Sequence, residues 1–325
     1  MIVPAYWAEA RQQYRRAGKQ ITVRRFGWSD DSVQDAQANA EQRASEALAR
    51  AVAGEALPRR EPKLPYNGAQ GVPIREQIVA REGSAIITRN AYGARCLNTP
   101  DVLFADIDFA LPFNGGLLLG VVLLLLAGAA AVWCLSGMRW LGILLAVLSL
   151  LFGATLAGAL QRLVQTLRGG AQAVALGRVH QFAARHPDWH LRIYRTPAGL
   201  RVLAMQRLFD PRENAVAECF AALGTDPVYV AMCKNQHCFR ARLSAKPWRI
   251  GIAGHLRPRP GVWPVAPERM PARQAWLDNY ERVAAGYAAC VFVEAIGSAV
   301  TDPQARLVQQ LHDAQCQAGS TLPLA

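Results

Sequence analysis

The sequence contains very little lysine. Lysine supplies only four of the 36 basic residues, so arginine carries almost all of the positive charge in a chain whose net charge is +12. The planar guanidinium group of arginine forms paired hydrogen bonds to phosphate, which suits it to nucleotides, nucleic acids and lipid head groups. A general compositional preference for arginine and alanine is the alternative explanation for this excess.

Several motifs that define large enzyme classes are also missing. The chain has no P-loop, no glycine fingerprint for dinucleotides, no G-x-S-x-G nucleophile turn and no H-E-x-x-H helix. These absences exclude the nucleotide-hydrolysing, dehydrogenase, hydrolase and zinc-protease classes that depend on those motifs. No internal repeat is present.

Cysteine is too scattered to form a disulfide framework. There are seven cysteines, an odd number, and one of them lies within a long apolar stretch. This pattern fits a reducing compartment for the soluble parts of the chain. We expect no secretory leader, because the first twenty residues carry several charges and no long apolar core.

The strongest positive signal is a hydrophobic block with a single charged residue, Arg139, between Gly115 and Leu160. It divides into Gly115–Leu135 and Trp140–Leu160, and roughly 20 helical residues are enough to cross a hydrocarbon core of about 30 Å. The four residues between the spans permit only a tight turn, so the block predicts a transmembrane helical hairpin. A buried hairpin in the core of a soluble protein is the alternative. Neither span carries an ionisable residue, which argues against a transporter built from this hairpin alone.

A hairpin returns the chain to the side from which it came. Arg89 and Arg95 precede the block and Arg162, Arg168 and Arg178 follow it, whereas the turn carries only Arg139. The positive-inside rule therefore predicts an inner-membrane protein whose two termini are both cytoplasmic.

The fold class predicted is an α+β cytoplasmic domain interrupted by a two-helix transmembrane hairpin. The predicted divisions are an N-terminal helical region (1–57), a first β-containing half (58–113), the hairpin (114–161) and a second α+β half (162–325). Predicted helices cover residues 5–19, 32–54 (capped by Ser29 or Asp30), 161–187, 272–289 and 302–316. Predicted strands cover residues 21–26, 74–80, 84–90, 102–109, 190–196, 200–206, 228–233, 238–245 and 290–296. Residues 58–73 form a break, and residues 110–116 form the linker into the hairpin.

Two acids, Asp106 and Asp108, lie two residues apart in the predicted strand "VLFADIDF". Residues at this spacing project from the same face of a strand, and paired carboxylates bind hard cations such as Mg²⁺ or Mn²⁺. The alternative is a solvated strand end whose acids meet nearby arginines.

The segments "LFADIDF" and "YRTPAGLRVL" together resemble two motifs of the archaeo-eukaryotic primase (primase-polymerase) superfamily. The resemblance implies that Asp106 and Asp108 are metal ligands and that Arg201 lies near the nucleotide. Arg201 occupies the position where the family has histidine, and only Asp210 and Glu294 are available for a third acidic motif. The resemblance is therefore to a degenerate relative that keeps the scaffold, or else to a metal-dependent nucleotidyl-transfer enzyme.

A basic strip follows in "CFRARLSAKPWRIG". Strand spacing puts Arg240 and Arg242 on one face, and Lys246, Trp248 and Arg249 follow after Pro247. Arginine with tryptophan can hold phosphate and stack a base, and the same residues also suit anionic lipid head groups. A third interpretation of this strip is an edge strand whose charges prevent aggregation.

Histidine and cysteine give weaker signals. Cys233, His237 and Cys238 in "CKNQHC" have only His255 as a nearby fourth ligand, so a zinc site is not expected and ordinary strand cysteines are favoured. The sequence also holds His180, His186 and His190, which are interpreted as surface histidines.

Three functions remain open on this basis. The favoured one is a non-catalytic cytoplasmic module that binds phosphate-bearing partners: nucleic acid, nucleotide or anionic lipid. The second is a membrane-tethered nucleotidyl-transfer enzyme that uses Asp106 and Asp108. The third is a structural subunit of a membrane assembly.

Overall fold

A computed structural model describes residues 3–16, 19–61, 72–109, 115–167, 169–257 and 263–325. The chain forms two compact units, of which the first comprises Met1–Ile107, Gln181–Pro197 and Arg201–Ala325. The second comprises Asp108–His180 and Ala198–Leu200. Within the described residues there are eight helices and ten strands in three sheets, which confirms a mixed α+β architecture. Most of the predicted linker (110–114), Arg168 and part of the predicted break (62–71) lie outside the described residues.

The first unit begins with a long antiparallel hairpin of strands β1 (Tyr6–Arg16) and β2 (Lys19–Ser29). The prediction of a helix over residues 5–19 is wrong. Alanine, glutamine and arginine favour a helix locally, but pairing along all eleven residues of β2 outweighs that preference.

Helix α1 (Val33–Val52) packs on this hairpin and confirms the second predicted helix. Its cap is Ser32, whose hydroxyl accepts a hydrogen bond from the Asp35 backbone NH at 3.0 Å, and not Ser29 or Asp30. The buried face consists of small alanines, and Gly27 of β2 lies against it. A Cβ at Gly27 would lie 2.2 Å from the Ala36 carbonyl oxygen, so only glycine allows this close approach.

A four-stranded antiparallel sheet follows in the order β3-β4-β5-β9. Its strands are β3 (Gln77–Glu82), β4 (Ala85–Arg89), β5 (Arg95–Thr99) and β9 (Phe239–Arg242). The hairpin of β3 and β4 turns at Gly83, as the sequence predicts, whereas β5 is a strand that the sequence reading missed. Strand β9 comes from the second half of the chain and pairs with β5 from the first half.

The third sheet has the order β10-β7-β8-β6. Its strands are β6 (Phe104–Asp108), β7 (His190–Thr196), β8 (Gly199–Ala204) and β10 (Val291–Gly297). All four lie within predicted strand segments, allowing one residue at each end. The apolar side chains of β6 and β8 are fully buried, so this sheet contributes to the core of the first unit.

Four helices complete the first unit: α5 (Asn214–Leu223), α6 (Pro227–Gln236), α7 (Met270–Ala284) and α8 (Pro303–Cys316). Helix α8 is as predicted. Helix α7 is confirmed but ends at Ala284, five residues before the predicted end at residue 289, and α5 was not predicted. The predicted strand at 228–233 is wrong, because that segment lies in α6. The Asp226 carboxylate caps the backbone NH groups of Val228 and Tyr229, and Pro227 occupies the first helical position, where its missing NH costs nothing.

The second unit contains the two long apolar helices α2 (Gly115–Ser136) and α3 (Arg139–Leu167). Both are long and apolar enough to cross a membrane. They pack through small residues, and a Cβ at Gly153 would lie 2.6 Å from the Val122 Cγ2 atom. Leucines on the outer faces of the two helices are exposed: Leu124 is 74% exposed and Leu135 is 88% exposed. An exposed apolar surface of this kind is compatible with a membrane-spanning hairpin.

The predicted continuous helix over 161–187 is interrupted. Helix α3 ends at Leu167, and α4 (Gly170–Arg185) begins after Gly169. Gly169 and Gly170 both have positive φ angles, of 85° and 88°, a conformation that breaks an α-helix and that glycine adopts without strain.

Candidate anion-binding pocket

A small pocket lies in the first unit where residues from two sheets and one helix meet. Its volume is about 50 Å³, which is room for a few water molecules or one small polyatomic group. Four of the residues singled out from the sequence line it. The lining consists of Asn90, Tyr92, Cys96, Asp106, Arg201, Tyr229, Arg240 and Arg242.

Arg240 enters the pocket from β9 and is held by a buried ion pair. Its Nη2 atom donates to both carboxylate oxygens of Glu76, at 2.6 and 2.8 Å, and Glu76 also accepts a hydrogen bond from the Thr88 hydroxyl at 2.6 Å. Burial alone would lower the pKa of Arg240, but Cys96 and Glu76 outweigh it and raise the pKa. Arg240 is therefore a fixed positive charge.

Arg201 enters from β8 and is 3% exposed. Its Nη1 atom donates to the Arg242 carbonyl oxygen at 2.9 Å and lies 3.1 Å from the His312 Nε2 atom. Its Nε atom lies 3.7 Å from Asp106 Oδ1. Burial opposes its charge, but Asp106 is the leading contribution that raises the pKa of Arg201. Arg201 thus stays charged at the base of the pocket.

Among the described residues, Asp106 is the single acid in the pocket lining. Its Oδ1 atom is buried and accepts no hydrogen bond, because Arg201 is too distant for one. Asp108 is exposed at the end of β6 and belongs to the second unit. The Arg201 contact matches the alternative in which these acids face arginines, and a shared cation at Asp106 and Asp108 stays a prediction.

Of the three arginines in this pocket, Arg242 has the side chain with the fewest polar partners. It follows Arg240 at strand spacing, and both line the cavity, as their predicted common face requires. Its Nε atom is buried and has no hydrogen-bond partner, while its side chain interacts with Tyr92. A buried NH of this kind carries a desolvation cost that a bound acceptor would remove.

A larger, mostly apolar cleft adjoins the pocket through Tyr92, which lines both. The cleft measures about 340 Å³ and is lined by Tyr92, Pro247, Trp248, Ile252, Ala253, Gly254 and His255. The Tyr92 and Trp248 rings meet edge-on with centroids 5.2 Å apart, and the Lys246 ammonium group lies 5.4 Å from the Trp248 ring. Trp248 is 52% exposed, which leaves much of its surface free for a ligand.

Other predicted site residues lie elsewhere. Arg249 ends the 3₁₀ turn Pro247–Arg249 and does not line the pocket. Cys233 and Cys238 are buried, and burial raises the pKa of the Cys238 thiol to about 11. His237 is the left-handed cap of α6, at a φ of 50°.

The three histidines of the predicted surface group have ordinary surroundings. His180 is exposed. His186 stacks on Phe182 with ring centroids 4.4 Å apart, and the Nδ1 atom of His190 lies 2.9 Å from the Val300 carbonyl oxygen.

The sequence reading missed Glu76 and Tyr92 in this region, and it missed a separate buried group, Cys290, His312 and Cys316. The spacing H-x₃-C in "QLHDAQC" was the available signal, because residues four apart share one face of a helix. In that group the pKa of the Cys290 thiol is lowered well below its usual range, first by hydrogen bonding from Cys316 and then by His312.

Comparisons with protein-family models, with curated proteins and with solved structures found no match for this chain.

Proposed function

We propose that this protein is a membrane-anchored binding module that holds a phosphate-bearing ligand in the arginine pocket. The observation that carries the proposal is the convergence of Arg201, Arg240 and Arg242 on one cavity whose lining contains a single acid, Asp106. Even with the Glu76 partner of Arg240 included, the positive charges outnumber the negative ones. A net positive, partly desolvated cavity favours an anion.

The size of the pocket favours a particular kind of ligand. A cavity of about 50 Å³ is closer in size to one phosphoryl group than to a nucleobase. The adjoining cleft beside Trp248 supplies the apolar, aromatic surface on which a planar group can stack. Together they support a small molecule that carries a terminal phosphate and a planar ring, such as a nucleotide.

The apolar hairpin supports the membrane part of the proposal. Its leucines are exposed over two helices that are long enough to span a bilayer. We infer that the hairpin lies in the inner membrane and that the first unit is cytoplasmic, because the arginines flank the hairpin on its open side.

A nucleotidyl-transfer enzyme is the second candidate, and the unpaired buried Oδ1 atom of Asp106 favours it. A divalent cation at this oxygen would bridge to a phosphate held by the arginines. In that case Asp106→Asn together with Asp108→Asn should abolish Mn²⁺ binding measured by calorimetry, with little change in the thermal midpoint. An unchanged Mn²⁺ titration removes this candidate.

The binding proposal is tested with the full chain in detergent by isothermal titration calorimetry against inorganic phosphate, pyrophosphate and ATP. Binding should weaken as salt rises and should be tightest for ATP, since ATP carries both a phosphate suited to the pocket and a planar base suited to the cleft. Anionic vesicles and single-stranded DNA are the comparison ligands.

Arg242→Gln removes the arginine with a spare NH and should weaken ATP and phosphate binding by about tenfold or more, since a hydrogen bond to a charged group is worth about 1.5–3 kcal/mol. Arg207→Gln is the matched control, because Arg207 lies in the same unit but pairs with Glu213 at the surface. The proposal fails if ATP and phosphate do not bind, or if both variants bind them as the original protein does. Binding confined to vesicles would identify a lipid-binding surface instead.

A further inference from the structure

Three potential metal ligands meet in the core of the first unit, next to the anion pocket but not in its lining. Cys290 directly precedes β10, and His312 and Cys316 are one turn apart on α8. The two sulfur atoms and a ring nitrogen of His312 all lie within 4.8 Å of one another. None of the three side chains is accessible to solvent. Two independent elements therefore bring two thiols and an imidazole to one point.

A carboxylate orients the imidazole toward the thiols. The His312 Nδ1 atom lies 2.9 Å from Asp313 Oδ1, so Nδ1 carries the proton and donates to Asp313. Asp313 is itself fixed by the Arg192 guanidinium at 3.1 Å. The Nε2 lone pair then faces the Cys290 sulfur at 3.8 Å. A carboxylate behind a histidine is the usual outer arrangement of histidines that bind metal ions.

We infer that Cys290, His312 and Cys316 form a binding site for one thiophilic divalent transition-metal ion of the zinc class. In tetrahedral zinc sites the metal–sulfur and metal–nitrogen bonds of about 2.3 and 2.0–2.1 Å put the ligand atoms roughly 3.5–3.8 Å apart. The observed Cys290 Sγ–His312 Nε2 separation of 3.8 Å lies at the upper end of this range, and the Cys316 sulfur lies within 4.8 Å of both atoms, so small side-chain adjustments would complete the site. Two thiolates and an imidazole select zinc over Mg²⁺ or Ca²⁺, which prefer oxygen ligands.

Two contacts would have to change when a metal ion binds: one made by Arg201, and the 3.5 Å hydrogen bond that the Cys316 thiol donates to the Arg242 carbonyl oxygen. The Arg201 Nη1 atom lies 3.1 Å from His312 Nε2, the atom that would bind the metal. Arg201 would give up this one contact and keep its hydrogen bond to the Arg242 carbonyl oxygen. Two thiolates neutralise the charge of the metal ion, so the guanidinium would face a neutral site and not a dication.

Two other uses of this cluster fit the geometry less well. A nucleophilic Cys290–His312–Asp313 arrangement would need access for a substrate, and Cys290 and His312 are both fully buried. A redox pair of Cys290 and Cys316 would explain the two thiols but not the imidazole directed at them by Asp313.

The test is an anaerobic Co²⁺ titration of the full chain in detergent, reduced with a phosphine. One Co²⁺ per chain should bind and give a sulfur-to-cobalt charge-transfer band together with tetrahedral d–d absorption, and Zn²⁺ should displace it. Cys316→Ser should weaken Co²⁺ binding by at least about tenfold and reduce the charge-transfer band. Cys219→Ser, at an equally buried cysteine of α5, should leave both unchanged.

Alkylation of the original protein keeps the test independent of whether the variants fold. Zn²⁺ should protect Cys290 and Cys316 from iodoacetamide under partly denaturing conditions, as read by mass spectrometry, and this protection should exceed that of Cys219, which shares only the general stabilisation of the unit. The inference is overturned if the original protein gives no thiolate band, if Cys316→Ser retains it, or if Zn²⁺ protects neither cysteine. A Cys290–Cys316 disulfide that forms in air without any metal binding would establish the redox pair instead.

Discussion

The buried pair of Glu76 and Arg240 gives the sharpest prediction about stability. Their side chains are 8% and 13% exposed and meet at 2.6 Å. Two unit charges about 4 Å apart attract by about 4 kcal/mol at an effective dielectric constant of about 20. Removing one partner leaves the other buried without compensation, which typically costs about 3–5 kcal/mol.

Arg240→Met and Glu76→Met should therefore each lower the free energy of unfolding by about 3–5 kcal/mol, and the double variant should lose much less than their sum. The Thr88 hydroxyl also donates a hydrogen bond to Glu76. This hydrogen bond is lost in both Glu76→Met and the double variant, so its contribution cancels in the coupling energy. We expect a coupling of about 3 kcal/mol.

The measurement is thermal unfolding in detergent, followed by tryptophan fluorescence. In a unit of about 150–250 residues each kcal/mol shifts the midpoint by about 2–4 °C, so each single variant should unfold about 6–20 °C earlier. The control pair is Arg207 and Glu213, which lie 2.7 Å apart but are 47% and 29% exposed. Its coupling should stay below about 1 kcal/mol. Strict additivity of the two buried substitutions would refute the reasoning.

Three further predictions concern the rest of the molecule. Burial raises the pKa of the Cys219 thiol to about 12 and that of Cys238 to about 11, against 9.0 for a free thiol. Above about pH 9 the unfolded chain therefore binds fewer protons than the folded protein. Each thiol should then lower the free energy of unfolding by on the order of 2–3 kcal/mol by pH 11. A thermal midpoint that stays constant from pH 8 to 11 under reducing conditions contradicts this prediction. Gly27→Ala should lower the midpoint by several degrees through overpacking against α1, whereas Gly319→Ala, which has open space around it, should not; equal midpoints would contradict the described packing. A reporter fused at Gly137 should be active outside the cytoplasm and one at the C-terminus inside, and two reporters on the same side would exclude the proposed topology.

Elements with a strong local pattern were predictable from the sequence. The two apolar helices were predictable from their length and their lack of charged residues. For α8, Asp302 and Pro303 are a local start signal, because Asp302 caps the helix and Pro303 occupies its first position. The β3–β4 and β7–β8 hairpins have glycine at the turn and apolar residues on both sides.

The failures had both local and distant causes. The first strand has a helical composition and is extended because β2 pairs with all of it. Strand β5, which the sequence reading missed, is held between β4 and β9, a neighbour from the other end of the chain. In α6 a run of valine and tyrosine looks like a strand, but the Asp226 cap and Pro227 start a helix.

The candidate site was predictable in part. Asp106, Arg201, Arg240 and Arg242 were all found by residue type and strand spacing, and they line one cavity. Their partners were not predictable: Tyr92 lines the pocket and Glu76 pairs with Arg240, and the local sequence around each carries no signal for this.

The pairing of β5 with β9 also sets an order of assembly. The Arg95 backbone NH donates to the Ser244 hydroxyl across a separation of 149 residues, and both apolar helices are synthesised in between. During translation the edge of β5 that pairs with β9 therefore stays unpaired until β9 leaves the ribosome. Contacts this distant in sequence form slowly, and an unpaired strand edge is open to mispairing in the interval. Because Arg240 and Arg242 arrive with β9, the arginine pocket cannot form before β9 has left the ribosome, after both apolar helices have been synthesised.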